Sequence, residues 1–481
     1  MCQIGAVLAP MWPPTPSTGA PAAIPPPSPV VLPAATPGAA AASPFTVLRA
    51  AQAESIAGFA GAWHDGAIQL ESSVIVRHDR IARVQARMRD EGLVAIMVMN
   101  HDDYRYLFGT DRVQPRAIVP VDGPPTIIAF AGEEPEIRAS LVTQADAALR
   151  PRTGAPAAAT PGPAAAAPGP AAATNGDVHV FGSVGGQIHE VVGLLREIVE
   201  RVGEPAAGRP KVGMQMWFET PAFLVELFRK VNPTIELVSS DPVMDPLRMV
   251  KDDGELALMA EAQRVAGIGM DRARELLRPG VTAHEIATEV TYALMRAGAE
   301  RTSTPIYVTF GIETCMLHGR LSPNPLRAGE LAVIDLTPQV EGYCANLART
   351  FVVGEPDERQ RALLDAYAEL ILAVRDAMRP GVTVAGLDVV VGGVLARRGL
   401  EQLHVHGIGH GLGLRFEETP ASTIIPPHKN VPLREGMTMT IGHTVLAIPG
   451  FGGVRHEDVY RVTPAGGQIL HPYPIDPVVA G

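Results

Sequence analysis

Asp335 lies in the middle of an apolar run, Leu331 to Thr337 (LAVIDLT), that reads as a buried strand. An unpaired carboxylate there is costly, so any fold that accepts this segment must bring a donor or a cation to it. The next segment, GYCANLARTFVVG, reads as the returning strand of a hairpin. A turn centred between Val340 and Glu341 pairs Asp335 with Asn346, their Cβ atoms about 5 Å apart on one face. That pair is either a buried Asp–Asn hydrogen bond or part of a cation site.

Two further clusters carry residues of the same kind. In HVHGIGHGLGLRFEETP, His406 and His410 are an even number apart, so an extended chain presents both on one face. Gly409, Gly411 and Gly413 allow close backbone approach around them. In EGMTMTIGHTVLAIPGFGGVRHEDVYRVT, Pro449-Gly450 suits the centre of a type II turn. Pairing about that turn sets Gly442 opposite Glu457, a second carboxylate inside a strand. It sets His443 opposite His456, on the other side of the sheet from Glu457. A bulge seeded by Gly442 would turn His443 back toward that carboxylate.

The rest of the chain sorts into segments. Residues 1–65 are dominated by Pro and Ala, with Arg49 the first basic residue, and 150–176 is an Ala/Pro insert; both are expected to be disordered. The start lacks the positive region of a signal peptide. Residues 72–240 alternate a helix over Val74 to Glu91 with apolar strands (LVAIMVMN, AIVPV, TIIAF, VHVFG), which implies an α/β domain. DPVMDPL, with two prolines, is the expected linker. Residues 241–475 read as an α+β domain, with helices over about 253–277, 283–297, 357–378 and from 384, set among hairpin strands. RPGVT occurs at Arg278 and again at Arg379, each time after a long helix; this is a shared helix stop or the trace of a duplication.

Composition limits the partners. The net charge is −11, from 40 basic and 51 acidic residues without a basic cluster, which argues against nucleic acid. No run of 18 large apolar residues occurs, which argues against a membrane span. Three scattered cysteines, Cys2, Cys315 and Cys344, suit a reduced cytoplasm better than a disulfide framework.

Taken in order, MVKDDGELALMAEAQ, His318, Asp335 with Asn346 eleven residues on, the HxxGHGxGL run and the VRHEDVYRVT tail resemble the pita-bread metallopeptidase family of aminopeptidase P, Xaa-Pro dipeptidase (prolidase) and creatinase. NHDDYRYLFGT resembles its N-terminal domain. The resemblance implies a pita-bread C-terminal domain behind a creatinase-like α/β domain, a homodimer, and a five-ligand site of two Asp, one His and two Glu for two divalent metals. Asp335, His410 and Glu457 match that set. Asn346 stands where the second Asp belongs, Gly442 where the first Glu belongs, and Glu417 where a further histidine belongs. His318 falls where these enzymes place a substrate-contacting histidine.

Two carboxylates cannot offset two divalent ions as four do. The ligand set is therefore expected to hold one ion (Mn, Fe or Zn) through His410 and Glu457 with Asp335, Asn346 or His443, or none. The implied activity is hydrolysis of a C–N bond in a small-molecule or short-peptide substrate, with His318, His406 and Glu417 as catalytic candidates. Creatinase, which is similar in fold and lacks the metal ligands, offers a metal-free route in which His318 or His406 moves the proton. GYCANLART is also similar to a segment of iron-dependent dimethylsulfoniopropionate lyases of this fold, so a lyase or other biosynthetic enzyme is the second reading. A non-catalytic pseudopeptidase is the third.

Overall fold

The structure, a computed structural model, describes residues 43–50, 78–110, 112, 115–130, 132–138, 177–180, 187–203, 208–216, 220–403 and 407–479. The Ala/Pro insert and most of 1–65 lie outside the described residues. Within 1–65 the described residues depart from the expected disorder. Residues 44–50 form a helix, α1, whose Leu48 is 3% exposed and packs with the C-terminal core. One leucine and one phenylalanine at helical spacing suffice to seat a short segment that Pro and Ala otherwise dominate.

The N-terminal domain is built on a six-stranded sheet. Helices α2 (His78–Glu91) and α3 (His101–Phe108) flank β1 (Leu93–Val98), every residue of which is buried. Then come β2 (Ala117–Pro120), β3 (Thr126–Ala129), β4 (Asp177–Val180), α4 (Gln187–Val202), β5 (Lys211–Met214), α5 (Ala222–Val231) and β6 (Glu236–Ser239). The strand order is β4-β3-β2-β1-β5-β6, with β2 antiparallel to both of its neighbours. The expected α/β layer is present.

The segment expected to be a linker is instead a helix, α6 (Asp241–Arg248). Pro242 at its start fits the first turn, where the missing N–H has no intrahelical partner anyway. Its Arg248 is buried among Asp103 of α3 (2.9 Å), Asp102 (3.6 Å) and Glu418 of the C-terminal domain (2.7 Å), and Lys251 bonds Glu418 as well. A buried charge network, rather than a flexible tether, thus joins the two halves of the chain.

The C-terminal domain repeats one arrangement. Helices α7 (Asp253–Leu276) and α8 (Ala283–Arg296) cover a sheet containing β8 (Tyr307–Phe310), β9 (Leu331–Leu336) and β12 (Leu347–Val353), after the short β7 (Arg301–Thr302). Helices α9 (Glu358–Ala377) and α10 (Val384–Arg397) cover β13 (Thr438–Ile441), β16 (Asp458–Thr463) and β17 (Gly466–Ile469). The two RPGVT copies perform the same task. Gly280 and Gly381 both have φ +89°, and their N–H groups bond the carbonyls of Leu326 and Leu433, which return bonds to Val281 and Val382. Thr282 and Thr383 then cap the next helices through their side chains.

Two expected strands are broken, and both breaks shape the site. The Asp335 hairpin turns through Glu341 (φ +47°) and Gly342 (φ +75°), one position later than expected. Positive φ at both central residues is the type I′ geometry that joins tight hairpins, and Gly342 makes it accessible. Val340 therefore pairs with Tyr343, between β10 (Pro338–Val340) and β11 (Tyr343–Cys344), and Asp335 pairs with Ala348 rather than Asn346. The two-residue shift keeps Asn346 on Asp335's face, at a point between β11 and β12 where the ladder lapses.

In the other hairpin Pro449 and Gly450 do occupy a turn closed by the Phe451 N–H to Ile448 O bond, 3.0 Å, with Gly450 at φ +77°. Ile441 pairs with Asp458, the expected register. Beyond it β14 (Leu446–Ile448) and β15 (Gly452–Val454) pair Leu446 with Val454, so five steps on one side answer four on the other. The extra residue falls between Gly442 and Val445.

Candidate active site

Three segments converge because their backbones are stitched together. Ala348 and Glu457 exchange N–H···O bonds (3.1 and 3.0 Å), which sets the Asp335 hairpin beside β16. The stretch from Ile408 to Leu412 runs along β13: Thr440 N–H bonds His410 O at 2.9 Å, and His410 N–H bonds the Thr440 hydroxyl at 3.2 Å. Gly409 permits this approach, since a Cβ there would strike the Thr440 carbonyl.

Gly442 is the decisive position. Its φ is +109°, and a Cβ on it would overlap the His456 carbonyl. No side chain fits this backbone, so a carboxylate ligand has no place here. The chain swings instead: Gly442 and His443 both donate N–H bonds to Ile408 O, at 2.9 and 3.0 Å. The buried Tyr367 hydroxyl sits between the carbonyls of Gly442 (2.7 Å) and Thr444 (2.5 Å) and clamps the irregular stretch. Simple alternation would turn His443 away from Glu457; the extra residue brings it in.

His443 Nδ1 stands 3.5 Å from Glu457 Oε1, and its ring lies 4.9 Å from that of His410 and 5.3 Å from that of His318. One ligand atom each from His410, His443 and Glu457 lies within 4.8 Å of the others, and all three residues are buried. His410 Nδ1 donates to Gly411 O at 2.9 Å, and its Nε2 is buried without a hydrogen-bond partner. His456 points to the opposite face, against Tyr367 and Phe45.

Arg455 is the residue that sequence reasoning passed over. It is 1% exposed and lies 2.8 Å from Asp335 Oδ2; its other terminal nitrogen bonds Glu457 Oε2 and approaches His443 Nδ1 at 3.5 Å. The signal was in VRHED: Arg455 and Glu457 are two apart, a spacing at which an extended chain gives both side chains one face. Asp335 Oδ1 accepts from Asn346 Nδ2 at 3.2 Å. Asp335 and Asn346 are thus tied to each other and to Arg455, one step removed from the imidazoles.

Burial raises the Asp335 carboxyl above its ordinary range, against the pull of Arg455. Burial acts the same way on Glu457, but Arg455 and His443 overcome it and hold that group ionised. Burial pushes His443 down to about 4, and burial with the nearby Arg455 charge lowers His318. Both rings are neutral near pH 7, as a ligand or a proton acceptor must be.

His318 is exposed, lies beside the buried His443 ring and stacks on Tyr307, ring centres 5.6 Å apart. Glu417 is 8% exposed, accepts a bond from the Thr423 hydroxyl and raises the affinity of His318 for a proton. His406 lies outside the described residues.

The chain has relatives. The metallopeptidase family M24 profile matches residues 257–464, and that of the creatinase/prolidase N-terminal domain matches 80–250. The chain is similar to an Xaa-Pro dipeptidase of Pyrococcus horikoshii, 31% identical over 248 residues, which are 52% of this chain and 69% of that protein. It is also similar to the putative dipeptidase YkvY of Bacillus subtilis, 30% identical over 244 residues, 51% of this chain and 66% of that protein. Among solved structures it resembles the prolidase of Pyrococcus horikoshii OT3, with a TM-score of 0.67 at 22% identity over 83% of this chain and 99% of that one. The Xaa-Pro dipeptidase of Bacillus anthracis gives a TM-score of 0.67 at 20% identity over 84% and 99%. These structures share the fold, in which the α+β pita-bread domain follows a creatinase-type domain.

Proposed function

Because the chain belongs to metallopeptidase family M24, with a creatinase/prolidase N-terminal domain, we propose that it hydrolyses a C–N bond in a peptide-like substrate at the His410–His443–Glu457 cavity. The observation that carries this reading is the unpartnered Nε2 of His410, fully buried and grouped within 4.8 Å with His443 and the ionised Glu457 carboxylate.

The residues fit one divalent ion and not two. Asp335 and Glu457 carry two negative charges, and Arg455 already returns one positive charge to both. A single negative charge remains to face a cation, whereas a second divalent ion would meet the guanidinium with nothing to offset it. Such an ion supplies Lewis acidity, polarising the scissile carbonyl and acidifying water.

The chain's own residues do the rest. Neutral His318, beside His443, takes the proton released as water attacks the carbonyl carbon, and hands it to the departing nitrogen. Arg455 keeps Glu457 ionised throughout. Tyr307 holds the His318 ring in place by stacking. We propose further that the enzyme works as a homodimer in the cytoplasm; two unpaired thiols, Cys315 and Cys344, support the second point.

Turnover of a dipeptide panel, Xaa-Pro members included, in ¹⁸O-labelled water tests the reaction. Hydrolysis puts the label in the new carboxylate, and Glu457→Gln and His410→Ala abolish it. An alkene product without label would make the enzyme a lyase, and failure to cleave any member with Mn²⁺, Fe²⁺ or Zn²⁺ present would refute the reading.

A further inference from the structure

We propose that His443 is a metal ligand in this chain, completing with His410 and Glu457 a mononuclear site of two imidazoles and one carboxylate that takes a zinc-class ion. The proposal rests on reading the cavity as an ion site, but not on the reaction performed there.

The argument begins with what Gly442 excludes. Its backbone leaves no room for a side chain, so the ligand must come from elsewhere. The same distortion adds one residue to the strand and delivers the next side chain, His443, to the vacated side. Ligand atoms about 2.1 Å from a shared tetrahedral ion stand about 3.4 Å apart. His443 Nδ1 and Glu457 Oε1 are already 3.5 Å apart, and the group spans no more than 4.8 Å with His410 included. His410 Nε2 and Glu457 Oε1 are buried without a hydrogen bond, as are Asp335 Oδ2 and Asn346 Oδ1, but Asp335 Oδ2 already lies 2.8 Å from the Arg455 guanidinium.

Asp335 is outside the set. Asp335 spends one oxygen on Arg455 and the other on the Asn346 amide. Arg455 also takes Oε2 of Glu457, so this carboxylate can offer only Oε1 to an ion. Substituting imidazole for carboxylate softens the site. Zinc, cobalt or ferrous iron is favoured over magnesium or manganese, which prefer oxygen. Three protein donors leave a fourth position for water or substrate, the pattern of a catalytic rather than a closed structural site.

The test is calorimetric titration of the full-length, chelator-stripped protein with Zn²⁺, with metal content measured in parallel. One ion per chain is expected, bound more tightly than Mn²⁺. His443→Ala weakens Zn²⁺ binding by about 100-fold or more, the upper end of what even an outer-shell partner contributes. Should that variant lose its native circular dichroism, His443→Asn, which keeps a neutral polar side chain, is expected to fold and to bind as weakly. Asn346→Ala and His318→Ala bind Zn²⁺ as the parent does. In the Co²⁺-loaded protein the visible absorption bands shift when His443 is replaced. Two ions per chain, unchanged affinity in a folded His443 variant, or an equal loss in Asn346→Ala each overturns the proposal. Peptide cleavage that survives loss of His443 would sink this assignment alone. Zinc binding that needs His443, without any C–N cleavage, would sink only the reaction proposed above.

Discussion

Arg455 stands 2.8 Å from the Oδ2 of Asp335, with both side chains 1% exposed. Since the same guanidinium bonds Glu457, one fixed charge serves two buried carboxylates from separate hairpins. Arg455→Gln leaves both uncompensated. Urea unfolding is expected to show a loss of about 3–5 kcal/mol, with part of it recovered when Asp335→Asn is added. Strictly additive losses in the double variant would mean that the two residues are not coupled.

Gly442→Ala places a methyl group against the His456 carbonyl at a φ of +109°. The expected cost is at least about 2 kcal/mol, seen as a lower denaturation midpoint. Tyr367→Phe acts on the same stretch by releasing the carbonyls of Gly442 and Thr444. It weakens Zn²⁺ binding even where the fold survives. A Gly442→Ala protein as stable as its parent would contradict the backbone described here.

The charge network at the domain junction has a pH signature. Burial acts to raise Glu418, but Lys251 and Arg248 overcome it and bring the carboxyl down from 4.5 to about 2. A carboxyl depressed on folding stabilises the fold above its unfolded value and loses that contribution as pH falls toward the folded one. The effect is worth about 3 kcal/mol at neutral pH and disappears between about pH 4.5 and 2. Melting temperature should fall through that window in the parent. Glu418→Gln should start lower and decline less; a parallel decline would rule the network out as its source.

Leu48 anchors α1 to the C-terminal core at 3% exposure, beside the Arg49–Asp476 ion pair at 3.1 Å. Leu48→Ala is expected to cost about 2–5 kcal/mol in thermal unfolding, while Val47→Ala, at a position 46% exposed, costs under about 0.5. Equal effects would show that α1 does not pack as described.

His318→Ala separates the exposed ring from the buried cavity. Turnover falls by about 10²-fold or more, and the acid limb of the kcat/KM profile, which lies below pH 6.5 because burial and Arg455 lower this ring, disappears. Zn²⁺ affinity and melting temperature stay at parental values. A variant that keeps the acid limb would assign it to another group.

Much of the fold was legible from local pattern. Helix spans, the helix stops at the two RPGVT copies, and apolar strands follow from propensity and periodicity, which act over a few residues. The shared face of Asp335 and Asn346 survived a wrong turn position, because a two-residue shift preserves strand parity. DPVMDPL was misread as a linker because two prolines suggest a break, whereas the first of them suits a helix start.

By itself the sequence determined which residue types were available to the site: two carboxylates, the histidines around them, an arginine two residues before Glu457, and glycine where a ligand would otherwise stand. Only the tertiary structure decided which of them meet. The collision at Gly442 involves a carbonyl fourteen residues away in the chain, and the resulting extra residue in one strand reverses the side from which His443 projects. Alternation is a property of one strand, but the break in it was imposed by a neighbouring strand and by Tyr367 from a helix, contacts that no local pattern encodes.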